Sequence, residues 1–481
     1  MAVRRSVIVW FRESLRLSDH PALAAAAELG VPVICLYVFD DESPGLRPLG
    51  GATRWWLAQS LRSLKASLQA IGADLVLRHG AAVTVVPALA RETNAAAVFW
   101  NDVAQAPQRT VAKDVDEALA MLGIESKSFA DDLLVDPARL RGTNGRGPRV
   151  FTPFWKRVLA LGDPPQPLPV PKSLPSVAGV AGLAVEDLSL EPTTPDWAGG
   201  LRETWQVGER AAQARLAAFL EADVQTYVTD RDRPDRDGTS RLSPHLRFGE
   251  ISPRQVWHAA RFAAAARPPT TPGIDKFMSE LGWREFSRHL LYDRPDLADR
   301  NLQATFDGFP WRNDDAGLRA WQRGRTGYPI VDAGLRQLWH SGTMHNRVRM
   351  VVASFLVKHL LIDWRLGERW FWDTLVDADV ANNPASWQWI AGSGADAAPY
   401  FRVFNPVLQG EKFDPEGAYV RRWVGELAAL PAPLIHRPWS ATPVELASAG
   451  ITLGGNYPAP IVDHKAARER ALAAYARARQ G

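Results

Sequence analysis

The segment Gly238-Thr239-Ser240-Arg241-Leu242-Ser243-Pro244 has the residue types of an anion-binding site. Ser243-Pro244 predicts that a helix begins here, because proline is favoured in the first turn of a helix. The backbone N–H groups at a helix N-terminus attract phosphate, and Arg241 would add positive charge. An ordinary N-cap at Ser243, with no ligand, fits the same segment.

A second set of polar groups, Glu280, Trp283 and Arg284, has the spacing of one helix face. Residues at i, i+3 and i+4 are neighbours on a helix surface, so a carboxylate, an indole and a guanidinium would be presented together. Such a surface could stack on a planar ligand and hydrogen-bond to it. For this segment alone, the simpler interpretation is a local Glu280–Arg284 ion pair beside a packed tryptophan.

A third set, Asn346, Arg349 and Met350, shares a face at the start of a helix that is otherwise apolar. Burying an arginine is unfavourable unless a carboxylate or another anion pairs with it. Asp377 and Asp379 are the candidate partners. The pattern therefore predicts a buried polar lining inside an apolar helical region.

Several kinds of site are excluded by what the sequence lacks. There is no Walker-type phosphate loop and no His-Glu-x-x-His spacing, and the one cysteine, Cys35, allows neither a thiolate metal cluster nor an intrachain disulfide. Gly392-Ser-Gly394-Ala-Asp-Ala397 matches a dinucleotide fingerprint literally, but no strand–helix–strand unit surrounds it. We predict no metal site and no Rossmann loop.

The elements that must position these groups fall into two differently patterned parts. Residues 1–130 alternate helical stretches with continuous apolar runs, at 7–11, 33–39, 74–77, 97–100 and 124–129. Continuous apolar strands that alternate with helices predict an α/β domain with a doubly wound parallel sheet.

The rest of the chain is patterned differently. Residues 131–200 lose periodicity and are predicted to be a proline-rich connector between domains. Residues 201–481 predict an all-α domain, with helical periodicity at 209–222, 275–291 and 343–362 and a solvated helical tail at 463–480.

Composition limits the class of protein. A chain of 481 residues is long enough for two domains, and no apolar run reaches the ~18 residues of a membrane span. A single cysteine is typical of a reducing compartment, so we expect a cytoplasmic protein. The net charge of +3 permits an anionic partner. Thirteen of the 19 tryptophans lie after residue 200, which is more than packing usually requires and favours a stacking or redox-active ligand there.

With these motifs in view, the chain resembles the photolyase/cryptochrome flavoprotein family. The resemblance preserves order and spacing across stretches 237–244, 280–290, 327–332, 344–363 and 377–415. Within the family it is similar to bacterial photolyases for cyclobutane pyrimidine dimers, and residues 50–57, Gly-Gly-Ala-Thr-Arg-Trp-Trp-Leu, resemble the branch near plant cryptochromes. The resemblance implies an α/β antenna domain followed by a helical domain that binds FAD.

The resemblance also implies roles for individual residues. Asn383 would lie against flavin N5, and Phe277 stands where the family usually has tryptophan. The residues expected to bind FAD are Tyr227, Thr239, Ser240, Arg241, Leu242, Ser243, Phe277, Arg284, Asn346, Arg349, Asp377, Asp379 and Asn383. Glu280, Trp283, Met350 and Trp389 would form the pocket for the damaged bases, with Arg231, Arg347 and Gln409 on the DNA. Trp387, Trp364 and Trp311 would form the electron-transfer chain that reduces the flavin.

The function that the resemblance implies is light-driven repair of pyrimidine dimers by electron transfer from reduced FAD, in a monomer whose partner is damaged DNA. A blue-light photosensor is the alternative, although plant sensors usually have aspartate at the position of Asn383 and extend well beyond this domain. Repair of (6-4) photoproducts is disfavoured because His345 is followed by Asn346 and not by a second histidine.

Asn101-Asp-Val-Ala-Gln-Ala106 lacks the residue pair of the common folate pocket, so methenyltetrahydrofolate in a variant pocket is the expected antenna, with a deazaflavin as the alternative.

Overall fold

The N-terminal part of the chain is built on a five-stranded parallel sheet. The computed structural model describes residues 5–142, 145, 147–397 and 401–479. The strands are β1 (Val7–Phe11), β2 (Val33–Phe39), β3 (Leu75–His79), β4 (Ala97–Asn101) and β5 (Glu125–Phe129), in the order β3-β2-β1-β4-β5. β1 pairs with β2 through Val7 and Val33 and with β4 through Val7 and Ala97. The predicted doubly wound sheet is confirmed.

The apolar character of the strands explains their position. Every residue of β1, β2 and β4 is buried, whereas β5 is the polar edge strand Glu-Ser-Lys-Ser-Phe. The helices that follow the first four strands are α1 (Pro21–Glu28), α2 (Gly51–Gln69), α3 (Ala82–Glu92) and α4 (Ala106–Met121). Val86 of α3 and Val115 of α4 pack with Trp10 and Trp100 of the sheet. The central strands are apolar along their length because helices cover the sheet.

The segment predicted to be a connector contains a helix. Helix α5 (Phe151–Ala160) buries Phe154 and Val158, with Phe151 and Trp155 on neighbouring positions. This i, i+3, i+4, i+7 spacing is an amphipathic signal that lies hidden between glycine-rich and proline-rich stretches. The expectation that 131–200 lacks periodicity is therefore wrong for these ten residues.

From residue 199 onward the described residues form helices and no further strand of the sheet. They are α6 (Gly199–Thr204), α7 (Glu209–Ala218), α8 (Tyr227–Asp230), α9 (Ser243–Arg247), α10 (Pro253–Ala266), α11 (Thr271–Asp293), α12 (Asp315–Gln322), α13 (Pro329–Ser341), α14 (Asn346–Ser354), α15 (Trp364–Thr374), α16 (Asn382–Ala391), α17 (Pro406–Phe413), α18 (Ala418–Trp423), α19 (Ala432–Ile435), α20 (Pro443–Ser448) and α21 (His464–Ala478). Single π-helical turns, at Phe219–Asp223 and Phe355–His359, follow α7 and α14. The predicted all-α region is confirmed.

The chain divides into two compact units. The first unit comprises Met1–Ala198, Trp205–Gln225 and Ser240–Pro295, and the second comprises Gly199–Thr204, Thr226–Thr239 and Asp296–Gly481. The limits of these two units do not coincide with residues 130 and 200, where the sequence pattern suggests domain boundaries. Those domain boundaries stay a prediction. No helix among the described residues has the length and apolar character needed to cross a membrane.

The second unit has its own apolar core around α13, α14, α15 and α16. Trp321, Trp364 and Trp387 are almost completely buried in it. The C-terminal helix α21 also packs inward, since Ala467, Ala471 and Ala474 are fully buried. The expectation of a solvated tail is wrong, because alanines at i, i+4 and i+7 let α21 approach its neighbours closely.

Candidate functional site

The amide side chain of Asn383 is held by an acidic residue of a neighbouring helix. In the second unit, Asn383 Nδ2 donates to Glu368 Oε1 at 2.8 Å and to the Glu368 carbonyl oxygen at 3.1 Å. Both groups on Glu368 are acceptors, so the NH₂ end of the amide must face them. Among the described residues nothing donates to Asn383 Oδ1, which leaves this oxygen as the acceptor that the site offers.

The turn before α16 fixes where Asn383 stands. Asp379 is buried, and its Oδ1 accepts from the backbone N–H of Ala381 at 2.9 Å and of Asn382 at 2.7 Å. A carboxylate that accepts backbone N–H groups at a helix start satisfies donors that the helix itself cannot pair. Asp379 therefore shapes the loop that carries Asn383, in addition to the predicted cofactor role.

The predicted partnership between Arg349 and the aspartates is formed with Asp377. Arg349 Nη2 lies 2.9 Å from Asp377 Oδ2, and Arg349 Nε donates to the carbonyl oxygen of Met344 at 2.7 Å. Asp377 Oδ1 is buried and has no hydrogen-bond partner among the described residues. A buried carboxylate oxygen without a donor is unfavourable, and a ligand N–H or O–H, or a water, would satisfy it.

The three tryptophans of the predicted electron-transfer chain lie in the second unit and differ in exposure. Trp364 and Trp387 are buried, and Trp311 is half-buried with its ring 4.3 Å from that of Phe309. Trp364 Nε1 donates to Asn301 Oδ1 at 3.0 Å. The most exposed of the three indoles is therefore that of Trp311, the residue predicted to be the outer end of the electron-transfer chain.

The close approach of α15 and α16 depends on one glycine. A Cβ atom at Gly367 would lie 2.2 Å from the Trp387 ring. Only glycine therefore lets the indole of α16 pack against the backbone of α15. Trp321 was not predicted from the sequence; its ring lies 6.2 Å from that of Trp387, and its Nε1 donates to the carbonyl oxygen of Val352. Its position on a different helix gave no spacing signal.

The start of α14 carries a cluster of charged and imidazole groups. His345 caps the helix, since its Nδ1 accepts from the backbone N–H of Arg347 at 3.2 Å. Burial, with Arg347 and Arg349 nearby, lowers the pKa of His345 to about 4, although Asp232 opposes this shift. His345 is therefore neutral at pH 7, and with Nδ1 accepting, the proton is on Nε2.

Four of the predicted DNA-contacting residues of the second unit, Arg231, Arg347, Met350 and Trp389, have partners within the protein. Arg347 pairs with Asp232, and its Nη1 lies 3.7 Å from Met350 Sδ. Arg231 stacks over Tyr227 at 5.5 Å. Trp389 is half-buried and donates from Nε1 to the carbonyl oxygen of Asp396 at 3.0 Å. Gln409 is half-buried on α17, and Asn346 is the first residue of α14.

In the first unit, the charged residues of α11 have other partners than their spacing along the helix suggests. The expected Glu280–Arg284 pair does not form. Arg284 donates to Asp132 Oδ1 at 2.8 Å and to Glu285 Oε1 at 2.9 Å, whereas Glu280 lies 3.3 Å from Lys276. Arg284 is buried, and its partner Asp132 is less exposed than Glu280. Burial raises the pKa of the neighbouring Glu285 to about 7, against the effect of Arg284.

The two aromatic residues predicted on α11 lie against other rings of the first unit. Trp283 is half-buried and stacks on Phe151, with ring centroids 3.8 Å apart and planes 6° from parallel. Phe277 is buried and packs against Phe219 at 4.7 Å. One face of the Trp283 indole is thus covered by α5, which fixes the orientation of the ring.

The predicted anion segment begins a helix one residue earlier than expected. Leu242 is the N-cap of α9 and Ser243 is its first residue, so the alternative interpretation of an N-cap at Ser243 is wrong. No side chain caps this helix start. Arg241 has a left-handed backbone, with φ of 50°, and the carbonyl oxygen of Ser240 accepts from Arg215 Nε at 3.1 Å. The backbone N–H groups at this helix start can donate hydrogen bonds to an anion, and the helix dipole favours negative charge there.

At the carboxyl edge of the sheet, an arginine that the sequence analysis missed has unsatisfied donors. Arg12 follows β1 and is buried; its Nη2 donates to Gln108 Oε1 at 2.7 Å, while Nε and Nη1 have no partner among the described residues. β1 and β4 flank the point where the strand order reverses, which is where doubly wound sheets bind ligands. Its place in the sequence, directly after a buried strand, is a pattern from which Arg12 could have been predicted as a ligand-binding residue.

Comparison with known proteins matches both parts of the chain. The family model described as DNA photolyase matches residues 7–172, and that described as FAD binding domain of DNA photolyase matches residues 277–477. The deoxyribodipyrimidine photo-lyase of Agrobacterium fabrum is 51% identical over 98% of this chain and 97% of that protein. Cryptochrome-1 of Arabidopsis thaliana is 39% identical over 96% of this chain and 69% of that protein. The crystal structure of a bacterial class III photolyase from Agrobacterium tumefaciens has a TM-score of 0.95 at 49% identity, covering 99% of this chain and 98% of that one.

Proposed function

The chain belongs to the DNA photolyase and cryptochrome family, and we propose that it is a photolyase that repairs cyclobutane pyrimidine dimers in DNA with light. The observation that carries this proposal is the orientation of Asn383, whose Oδ1 is left as an acceptor because Nδ2 is held by Glu368. A neutral acceptor can take a hydrogen bond from the N5–H of reduced flavin without adding negative charge beside it. The amide thus favours the reduced cofactor that repair requires.

The second unit has groups that fit FAD. Asp377 Oδ1 is a buried acceptor to which none of the described residues donates, and Asn383 Oδ1 is a second acceptor. We assign Tyr227, Thr239, Asn346, Arg349, Asp377, Asp379 and Asn383 of this unit to FAD. When bound in its reduced form and excited by blue light, FAD supplies the electron that splits the dimer. Arg349 is oriented by Asp377, so the protein fixes the charge around the cofactor.

The first-unit residues assigned to FAD are argued from their own surroundings. The uncapped start of α9 offers backbone N–H groups to a phosphate, which supports Ser240, Arg241, Leu242 and Ser243 as ligands. Phe277 offers an apolar surface. Arg284 already donates to Asp132 and Glu285, so its proposed contact with FAD would use the edge of a guanidinium held by these acids.

The tryptophans and the dimer pocket have separate roles. Trp311, Trp364 and Trp387 are proposed to relay electrons from the surface of the second unit to oxidised FAD, with the half-buried Trp311 as the outermost donor. Trp283 and Trp389 would stack on the flipped-out bases, Glu280 would hydrogen-bond to them and Met350 would pack beside them. Arg231, Arg347 and Gln409 would contact the DNA backbone.

A photosensor without repair activity is the second candidate, because the chain is also similar to a plant cryptochrome. Asn383 disfavours it, since plant sensors usually have aspartate at this position. Repair of (6-4) photoproducts is the third candidate and is disfavoured by Asn346, which follows His345 where a second histidine is associated with that chemistry.

An antenna is proposed in the first unit. A reduced folate, methenyltetrahydrofolate, is favoured over a deazaflavin, and Arg12 supports an anionic ligand because two of its buried donors have no partner among the described residues. Within 101–106, Asn101 Oδ1 accepts from the Ala22 N–H and Gln105 Nε2 donates to Glu13, whereas Asn101 Nδ2 is buried without a partner among the described residues. These bonds are consistent with a pocket that differs from the common folate site.

One experiment tests the proposed function. The purified protein is loaded with FAD, its flavin and antenna absorption is recorded, and the chemically reduced protein is illuminated with ultraviolet-irradiated oligothymidine. We expect flavin bands, a near-ultraviolet antenna shoulder and light-dependent loss of dimers, with no loss in the dark. Flavin that is photoreduced while dimers persist would show a photosensor instead.

A further inference from the structure

The segment 230–237 is rich in acidic and basic residues, and Asp232 pairs with a residue outside the segment. Arg233 forms a two-bond pair with Asp235, at 2.8 and 2.6 Å, and Arg236 pairs with Asp230 at 2.6 Å. These pairs close within the segment. Asp232 instead reaches α14, where its Oδ1 lies 2.8 Å from Arg347 Nη2.

Arg347 is held on three sides in this arrangement. Asp232 accepts from Nη2, the sulfur of Met350 lies 3.7 Å from Nη1, and the guanidinium lies 4.5 Å from the centre of the Phe413 ring. The side chains of Arg347 and Asp232 keep 24% and 35% of their exposure, so both ends of the pair reach solvent. The position of the cation is therefore set before any ligand arrives.

The bond between Asp232 and Arg347 is of the kind that a DNA phosphate would make. Carboxylate and phosphate oxygens both accept charge-assisted hydrogen bonds from an arginine fork. Aspartate carries one negative charge, as does each phosphate of the DNA backbone. A phosphate that approaches Arg347 must share the guanidinium with this carboxylate or replace it.

We propose that Asp232 occupies the place of a DNA phosphate on Arg347 and is exchanged for that phosphate when damaged DNA binds. This inference rests on the proposed function, in which Arg347 contacts DNA. Asp232 then preorganises Arg347 but weakens binding, because the released carboxylate remains beside the phosphate and takes up a cation. Uptake of a cation offsets the release of one from the DNA, so the salt dependence of binding is lowered by this residue.

Asp232→Asn tests the exchange, with Asp230→Asn as the matched control. The control removes the same charge two residues away, but Asp230 pairs with Arg236 and not with Arg347. Binding of dimer-containing DNA is measured by fluorescence anisotropy from about 0.05 to 0.3 M salt. We expect D232N to bind about two- to five-fold more tightly than the control near 0.1 M salt, the range of a surface ion pair. Its plot of log K against log salt should be steeper than that of the control by about 0.9.

Two outcomes would overturn different statements. Equal or weaker binding by D232N than by D230N, with an unchanged salt slope, would show that Asp232 only holds Arg347 in place, and the exchange would be wrong. Arg347→Ala is measured in parallel: binding equal to that of the unmodified protein would remove Arg347 from the proposed DNA contacts. Thermal melting of each variant shows that it is folded, and Asp232→Ser repeats the test if D232N is not.

Discussion

Asn383 and Glu368 lie on adjacent helices, α16 and α15, and are joined by a 2.8 Å hydrogen bond from Nδ2 to Oε1. Both side chains are buried, so the bond fixes which end of the amide is an acceptor. Fifteen residues separate the two in the chain. Glu368 therefore sets the orientation of the Asn383 amide.

Asn383→Asp tests the amide itself. A carboxylate at this position would lie beside Glu368 in a buried site, and like charges raise the pKa of one of the two acids or push them apart. Negative charge beside reduced flavin disfavours that state. We expect faster aerobic reoxidation of FAD and reduced repair, with FAD and DNA binding retained. Stopped-flow reoxidation and a repair assay measure this, and unchanged values in both would show that Asn383 is not the neighbour of flavin N5.

Glu368→Ala tests the second member of the pair. Its loss leaves the Asn383 amide with the backbone oxygen of residue 368 as its remaining acceptor, so the amide can rotate. We expect repair by prereduced enzyme to fall while DNA affinity stays constant, and the free energy of unfolding to decrease by about 1 kcal/mol. Glu368→Gln is the control, because Gln Oε1 can still accept from Nδ2. Equal loss in both variants would contradict an orienting role.

More of the fold than of the contacts between side chains could be predicted from the sequence. The predicted runs located all five strands, with bounds that differ by one or two residues at β3, β4 and β5. The expectation of a continuous apolar run at 124–129 is wrong, because β5 is a polar edge strand that is exposed or half-buried along its length. Glu368 and Asp132 were not predictable, since the first acts across two helices and the second is 152 residues from its partner Arg284. The packing of α21 was detectable in principle, because its buried alanines recur at helical spacing.

Trp283→Ala tests the stacking surface of the dimer pocket. Phe151 covers one face of this indole, so the ring is preorganised for a base on the other face. We expect binding of dimer-containing DNA to weaken by ~1–3 kcal/mol, the free energy of one base–aromatic stack, while FAD remains bound. Trp283→Phe, which keeps a ring on Phe151, should lose less. Equal affinity of the alanine variant and the unmodified protein would remove Trp283 from the pocket.

Trp311→Phe tests the outer end of the electron-transfer chain. Phenylalanine keeps the contact with Phe309 but cannot be oxidised under these conditions, so photoreduction of oxidised FAD should stop. Repair by chemically reduced enzyme should be unchanged. Trp423→Phe, at a half-buried indole outside the chain, is the control for loss of any tryptophan. Collapse of repair in prereduced Trp311→Phe would mean that Trp311 has a structural role and that the assigned chain is wrong.

The final prediction concerns the attachment of α21 and its dependence on pH. His359 is fully buried, and its Nε2 lies 2.8 Å from His464 Nδ1 at the start of α21. Burial lowers the pKa of His359 to about 3, and His464 and Arg470 act in the same direction. The unfolded chain has a histidine pKa of about 6.5, so between these values it binds a proton that the folded protein does not. The free energy of unfolding must therefore fall as the pH drops below about 6.5, by up to ~1.4 kcal/mol per pH unit for this group.

His359→Phe should remove this contribution. The phenyl ring can keep the stacking on Phe355, so we expect about 1 kcal/mol less stability at pH 7 from the lost hydrogen bond, but a shallower decline between pH 6 and 4. Tyr328→Phe is the control, because its hydroxyl donates to the Val462 carbonyl oxygen next to α21 and carries no proton equilibrium in this range. That variant should lose stability equally at each pH. Chemical denaturation across the range measures both, and parallel curves for His359→Phe and the unmodified protein would show that His359 does not control the acid sensitivity of this region.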